Sequence, residues 1–103
     1  DMTRTSWFFK GGITGAMKVA HLSDSFGMRC QVHGMGLPNA QICAAIRNND
    51  YYEQLVMGSE QIDDLVNLGP LAIKDGNLTV SDAPGLGEDF DWDHVERSAV
   101  AKV

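Results

Sequence analysis

Basic clusters, long apolar runs and cysteine pairs are what this chain has least of. Its 8 basic residues are scattered and outnumbered by 14 acidic ones, for a net charge of −6, and a surface of that sign repels nucleic-acid phosphate and anionic lipid. No apolar run approaches the roughly 20 residues that span a bilayer, and no signal-peptide pattern opens the chain, so the cytoplasm is the expected location. Only two cysteines are present. Cys30 and Cys43 fall on an expected strand and an expected apolar helix, where each reads as a small buried thiol and not as half of a disulfide framework. His21 and His94 lie on expected helices with no Cys and no second His at ligand spacing, so no metal site is built on them. The acidic stretch over 88–93 lacks the glycine and closing glutamate of an EF-hand loop. There are no internal repeats and no low-complexity segments.

What is present is organised around the stretch 11–33, GGITGAMKVAHLSDSFGMRCQVH. Gly11 and Gly12 permit a tight entry, and Thr14 can cap a helix running over 14–26 through Ala16, Met17, Val19, Ala20 and Leu22. Gly27 stops it. Met28, Cys30 and Val32 then alternate with Arg29, Gln31 and His33, a change of period from 3.6 to 2 that predicts a strand over 28–32. Upstream, residues 2–6 alternate in the same way. Two strands joined by a helical crossover are normally parallel, and in such folds working groups gather at the C-terminal ends of the strands. Ser6 and His33 are both placed there.

Downstream, the breakers Gly34, Gly36 and Pro38 precede an expected helix over 39–46 that is apolar nearly all round and therefore wants cover on more than one side. Residues 51–56 read as a short extended piece carrying Glu53, and residues 61–68 as one or two helical turns. Asp75-Gly76 between two apolar runs predicts a hairpin over 71–80 with a type I′ turn. Asp91 can cap a last helix over 92–101, with Asp93 in its first turn and Arg97 and Lys102 towards its end. The turn Gly11-Gly12-Ile13-Thr14 at a helix start is read as a tight strand-to-helix connection and not an anion site, because no Walker or GxGxxG pattern accompanies it.

The run KGGITGAMKVAHLSDSFGMRCQVHG, followed in order by Tyr51-Tyr52-Glu53, the Asp75-Gly76 turn and Pro84-Gly85-Leu86-Gly87, resembles the C-terminal part of the mandelate racemase/muconate lactonizing enzyme-like branch of the enolase superfamily. The likeness covers nearly the whole chain. It implies an α/β fold: residues 1–56 as the seventh and eighth units of a TIM-type (β/α)8 barrel, and residues 57–103 as a C-terminal segment of linker, hairpin and helix packing towards a capping domain. A complete barrel takes about 250 residues, so a chain of 103 residues is expected to be a fragment whose partners are the rest of the barrel and the capping domain, a homo-oligomer in full-length form.

The resemblance also assigns roles. A histidine at the position of His33 exchanges a proton with the carbon next to a carboxylate, or delivers acid to a leaving hydroxyl, and imidazole suits both. The family pairs it with an aspartate five residues before the first glycine, which here is Ser6. A serine can orient the ring but cannot supply the negative charge, so His33 is expected to be a weaker base than the family's. Asp1 and Asp50 are available carboxylates, but no spacing places either against His33. Glu53 matches the glutamate that hydrogen-bonds the substrate carboxylate, a role best filled by the neutral acid. Lys10 is read as structural, since the family's lysine base comes from a strand not in this chain. The same holds for the ligands of the Mg²⁺ that the resemblance implies.

Two functional readings follow. The first is the C-terminal part of a metal-dependent acid-sugar dehydratase or epimerase (a lyase or isomerase of the racemase-like group), acting on a carboxylate-bearing small molecule through an enediolate, with the isolated chain expected to be inactive. The second is a non-catalytic α/β remnant or assembly module that packs with a complementary chain.

Overall fold

The chain begins with strand β1 (Met2–Thr5), which pairs in parallel with β2 (Arg29–Val32) in the register Met2↔Arg29 to Thr5↔Val32. In the computed structural model, residues 1–9, 11–55, 58, 71–88 and 91–100 are described. Lys10, Val56, the helical turns expected over 61–68, and the Ala101 and Lys102 end of the last expected helix lie outside the described residues. The crossover between the strands is helix α1 (Gly12–Ser25), so the expected parallel strand–helix–strand unit is present.

Helix α1 starts two residues before the expected cap. Gly11 is the N-cap, in the left-handed region at φ 76°, and Gly12 follows at φ 74°; the Gly12 N–H donates to the Trp7 carbonyl (3.0 Å). This turn needs no side-chain cap, so Thr14 sits inside the first turn. The helix ends as expected at Gly27, in a Schellman arrangement: Met28 N–H donates to the Ser23 carbonyl (2.9 Å) and Gly27 N–H to Asp24 (2.9 Å), with Gly27 at φ 67°.

Alternation along the strands sorts their side chains. Thr3 and Thr5 face α1, where Thr3 Oγ1 shares a hydrogen bond with Ser23 Oγ (2.5 Å) and Thr5 Oγ1 donates to the Ala16 carbonyl (3.4 Å). Their register partners Cys30 and Val32 join Ala16, Ala20, Ile42 and Ile46 in the main core. Ala16 and Ala20 are one helical turn apart, and their small side chains let α1 lie close on the sheet. Arg4 and Gln31, one step out of phase, belong to the opposite face.

Helix α2 (Leu37–Ala45) begins two residues earlier than expected, with Pro38 in its first turn, where a missing N–H costs nothing because the first N–H groups of a helix have no intrahelical partner. It buries Leu37, Asn39, Ala40 and Ile42, while Ala44 and Ala45 are exposed. Residues 51–55, expected as an extended piece, have no regular secondary structure. Strands β3 (Ala72–Lys74) and β4 (Asn77–Thr79) form the expected antiparallel hairpin, closed by Asp75 and Gly76 at φ 51° and 76°. Leu71, Leu78 and Val80 pack with Leu37, Ala40 and Tyr52 in a second cluster. Helix α3 (Trp92–Ser98) carries its expected cap: Asp91 Oδ1 accepts from His94 N–H (2.8 Å).

Candidate active site

His33 leaves the end of β2 with its N–H bonded to the Thr5 carbonyl (2.7 Å), which continues the parallel ladder one step and puts the imidazole at the C-terminal edge of the two-stranded sheet. Ser6 stands at the same edge, as expected. It is buried, and its hydroxyl accepts from the Phe8 N–H (3.3 Å). Among the described residues, the polar partners of the His33 ring are instead Glu53 and Arg4. His33 Nδ1 lies 2.7 Å from Glu53 Oε2 and 2.8 Å from Arg4 Nη2, and Arg4 Nη2 donates to Glu53 Oε1 (2.5 Å). Phe9 lies nearly parallel to the imidazole, with centroids 6.3 Å apart and planes 17° apart.

The loop after His33 is tied from below. Asn39, 1% exposed at the start of α2, donates to the carbonyls of His33 (2.9 Å) and Met35 (3.4 Å) and accepts from the Trp7 N–H (3.2 Å). It therefore joins the loops that follow both strands. Gly34 N–H donates to Glu53 Oε2 (2.5 Å) and Gly36 N–H to the Tyr52 hydroxyl (2.6 Å). Burial raises the Tyr52 phenol above its usual range, which keeps it a neutral hydroxyl.

Glu53 differs from the expectation of a neutral acid. The Gly34 N–H bond lowers its carboxyl below the usual range, against the opposing effect of burial, and the His33 bond and the Arg4 charge act in the same downward direction. Glu53 is thus a carboxylate here, half-enclosed and with both oxygens engaged. Arg4, Asn39 and Phe9 were not singled out from the sequence. For Arg4 a signal existed, because the strand alternation sets it in phase with Gln31 and His33.

Two cavities open beside the site: one of about 350 Å³ lined by Met2, Arg4, Gln31, Val32, Tyr51 and Glu53, and one of about 290 Å³ between Arg4, Thr5, Phe9 and His33. Arg4 stands on the wall of both. Asp50 is paired with Arg29 and accepts from Gln31 Nε2 (3.0 Å). No group of three or more His, Cys, Asp or Glu among the described residues is arranged to hold a metal ion, and no helix among them is long and apolar enough to cross a membrane.

The Enolase C-terminal domain-like family model matches residues 1–94. A D-galactonate dehydratase family member of Enterocloster bolteae is 36% identical over 89 residues, covering 79% of this chain and 21% of that protein. A D-xylonate dehydratase of Haloferax volcanii is 32% identical over 95 residues, covering 87% and 23%. The crystal structure of D-glucarate dehydratase from Agrobacterium tumefaciens, complexed with magnesium, superposes with a TM-score of 0.83 at 36% identity, covering 94% of this chain and 27% of that one. The chain thus spans 21% and 23% of the length of these two curated relatives. Its α/β fold matches that of the D-glucarate dehydratase structure over the superposed part. The chain belongs to the Enolase C-terminal domain-like family of the enolase superfamily, in the mandelate racemase-like branch that the run from Lys10 to Gly34 resembles.

Proposed function

We propose that this chain is the C-terminal part of an acid-sugar dehydratase and that His33 is its proton-carrying residue. The observation that carries this reading is the placement of His33: a half-exposed imidazole at the C-terminal edge of parallel strands, beside an open cavity, with Nδ1 engaged by protein groups and Nε2 without a hydrogen-bond partner among the described residues. Dehydration of an acid sugar removes the proton next to the carboxylate and expels the neighbouring hydroxyl as water. A ring held at Nδ1 can deliver a proton from Nε2 to that leaving hydroxyl, or accept one from the carbon, without moving. The dehydratase names of the relatives favour this chemistry over epimerisation.

The described residues do not make a magnesium site. Glu53 is the one carboxylate at the His33 ring, and its oxygens are taken by Arg4, Gly34 and His33. The ligands of the Mg²⁺ that the resemblance implies are expected elsewhere in the parent protein, and the isolated chain is expected to be inactive. The alternative of a non-catalytic assembly module is not favoured, because packing alone gives no reason for Arg4, His33 and Glu53 to converge between two open cavities.

In the complete protein carrying this segment, His33→Asn is expected to slow acid-sugar dehydration by on the order of 10²-fold or more, the scale of a positioned acid or base. Turnover unchanged by His33→Asn would overturn the reading.

A further inference from the structure

We propose that Glu53 supplies the carboxylate that orients His33 in this chain, accepting the imidazole Nδ1–H on Oε2 while Arg4 holds Oε1, so that the ring presents Nε2 as its free nitrogen. The proposal rests on the reading of His33 as the proton carrier. It assigns the carboxylate half of the pair to a residue 20 positions after the histidine, on the loop following α2, and not to position 6 on the preceding strand.

Donor and acceptor capacities decide the arrangement. Three groups meet at one atom: His33 Nδ1 is 2.7 Å from Glu53 Oε2 and 2.8 Å from Arg4 Nη2. A guanidinium only donates and an ionised carboxylate only accepts, while a single ring nitrogen either carries a proton or offers a lone pair. With the proton on Nδ1, Glu53 accepts from His33 and from the Gly34 N–H on Oε2 and from Arg4 on Oε1, and every one of these bonds has a charged partner, the stronger class. With the proton on Nε2, the Nδ1 lone pair accepts from Arg4 but stands against a carboxylate oxygen at 2.7 Å with no hydrogen between them. In the first case the 2.8 Å contact of Arg4 with Nδ1 brings two donors together and is no hydrogen bond, but Arg4 keeps its charge-assisted bond to Glu53 Oε1 at 2.5 Å. The first arrangement therefore prevails.

Neighbouring groups support it. Phe9 lies nearly parallel to the imidazole, with centroids 6.3 Å apart. Asn39 fixes the His33 and Met35 carbonyls, which holds the Gly34 N–H where Glu53 needs it. Ser6 spends its hydroxyl on the Phe8 N–H. Glu53 is then a positioning residue acting through His33, kept ionised first by the Gly34 N–H and further by the His33 bond and the Arg4 charge.

The test reads the ring itself. In the ¹⁵N-labelled complete protein carrying this segment, at alkaline pH, a long-range ¹H–¹⁵N correlation spectrum distinguishes Nδ1–H from Nε2–H, with the His33 signals identified by their loss in His33→Asn. The wild type is expected to show Nδ1–H. Glu53→Gln, which keeps an acceptor oxygen, is expected to retain it, and Glu53→Leu to lose it in favour of Nε2–H, with the backbone amide spectrum reporting whether each variant is folded. Nε2–H in the wild type would overturn the proposal and give the ring to Arg4; that result needs no variant. Nδ1–H persisting in a folded Glu53→Leu would overturn it as well. An inactive complete enzyme whose His33 is Nδ1–H refutes only the dehydratase reading, and an active one whose His33 is Nε2–H refutes only this assignment.

Discussion

His33 and Glu53 meet at 2.7 Å between Nδ1 and Oε2, one residue ending a strand and the other on a segment with no regular secondary structure. The pair exists because two flanking constraints hold it: the parallel ladder carries His33 out from β2 through its bond to the Thr5 carbonyl, and the Gly34 N–H takes the same carboxylate oxygen that His33 does. Arg4 closes the group from β1.

The pairing has a pH signature. The Glu53 carboxyl is lowered in the folded chain, first by the Gly34 N–H and then by His33 and Arg4, so as the pH falls the unfolded chain takes up this proton before the folded one does. The resulting stabilisation is complete above the ordinary glutamate value of about 4.3 and is lost as pH falls through the lower folded value. Urea midpoints of wild type and Glu53→Gln are expected to differ near neutrality and to converge on acidification. A difference that stays constant with pH would contradict this.

Asn39 is expected to be a stability hot point. Its buried side chain satisfies the Trp7 N–H and the His33 and Met35 carbonyls, and Asn39→Ala leaves these groups without it at a cost of about 1–3 kcal/mol. Denaturant titration checks the cost. Because Asn39 ties the loops carrying Phe9 and His33, the variant is also expected to broaden the His33 ring signals, which a remote core substitution of equal cost does not do.

Serine at position 6 is expected to matter little to the ring. Among the described residues its hydroxyl makes one hydrogen bond, accepting from the Phe8 N–H at 3.3 Å, so Ser6→Ala is expected to cost about 0.5–1.5 kcal/mol and to leave the His33 tautomer unchanged. In the complete protein it is expected to slow turnover far less than His33→Asn. Equal damage from the two substitutions would restore Ser6 to the site.

The chain on its own is expected to self-associate. Phe8, Phe9 and Phe26 are 68%, 69% and 74% exposed, and a sheet of two strands offers unpaired backbone at its edge, a template for pairing with another chain. Sedimentation velocity is expected to show a mass that rises with concentration, and thermal unfolding a broad transition. A monomer with a sharp two-state transition would contradict this.

Several elements were legible because their causes are local. Gly27 ends α1 through bonds to Ser23 and Asp24, Asp75-Gly76 supplies positive φ at both turn centres, and Asp91 caps α3 three residues before His94; each rule operates within a few positions. The parallel pairing of β1 and β2 followed from the strand–helix–strand order. The starts of α1 and α2 were set differently from their local signals, because the Gly11-Gly12 turn makes a side-chain cap at Thr14 unnecessary and Pro38 fits a first helical turn.

The site itself was decided by tertiary structure. Sequence placed His33 at a strand end and matched Glu53 to a family position, but it set Ser6 where a charge was missing and expected a neutral Glu53. Arg4 reaches His33 across 29 positions and Glu53 across 49. Neither separation follows from propensity or periodicity. The sheet register sets Arg4 one step from Thr5, whose carbonyl holds His33, and the fold of the loop after α2 returns Glu53 to the Gly34 N–H. Side-chain charge and strand order are written in the chain, but which carboxylate meets the imidazole depends on long-range backbone geometry that exists only once β1, β2 and α2 have packed together.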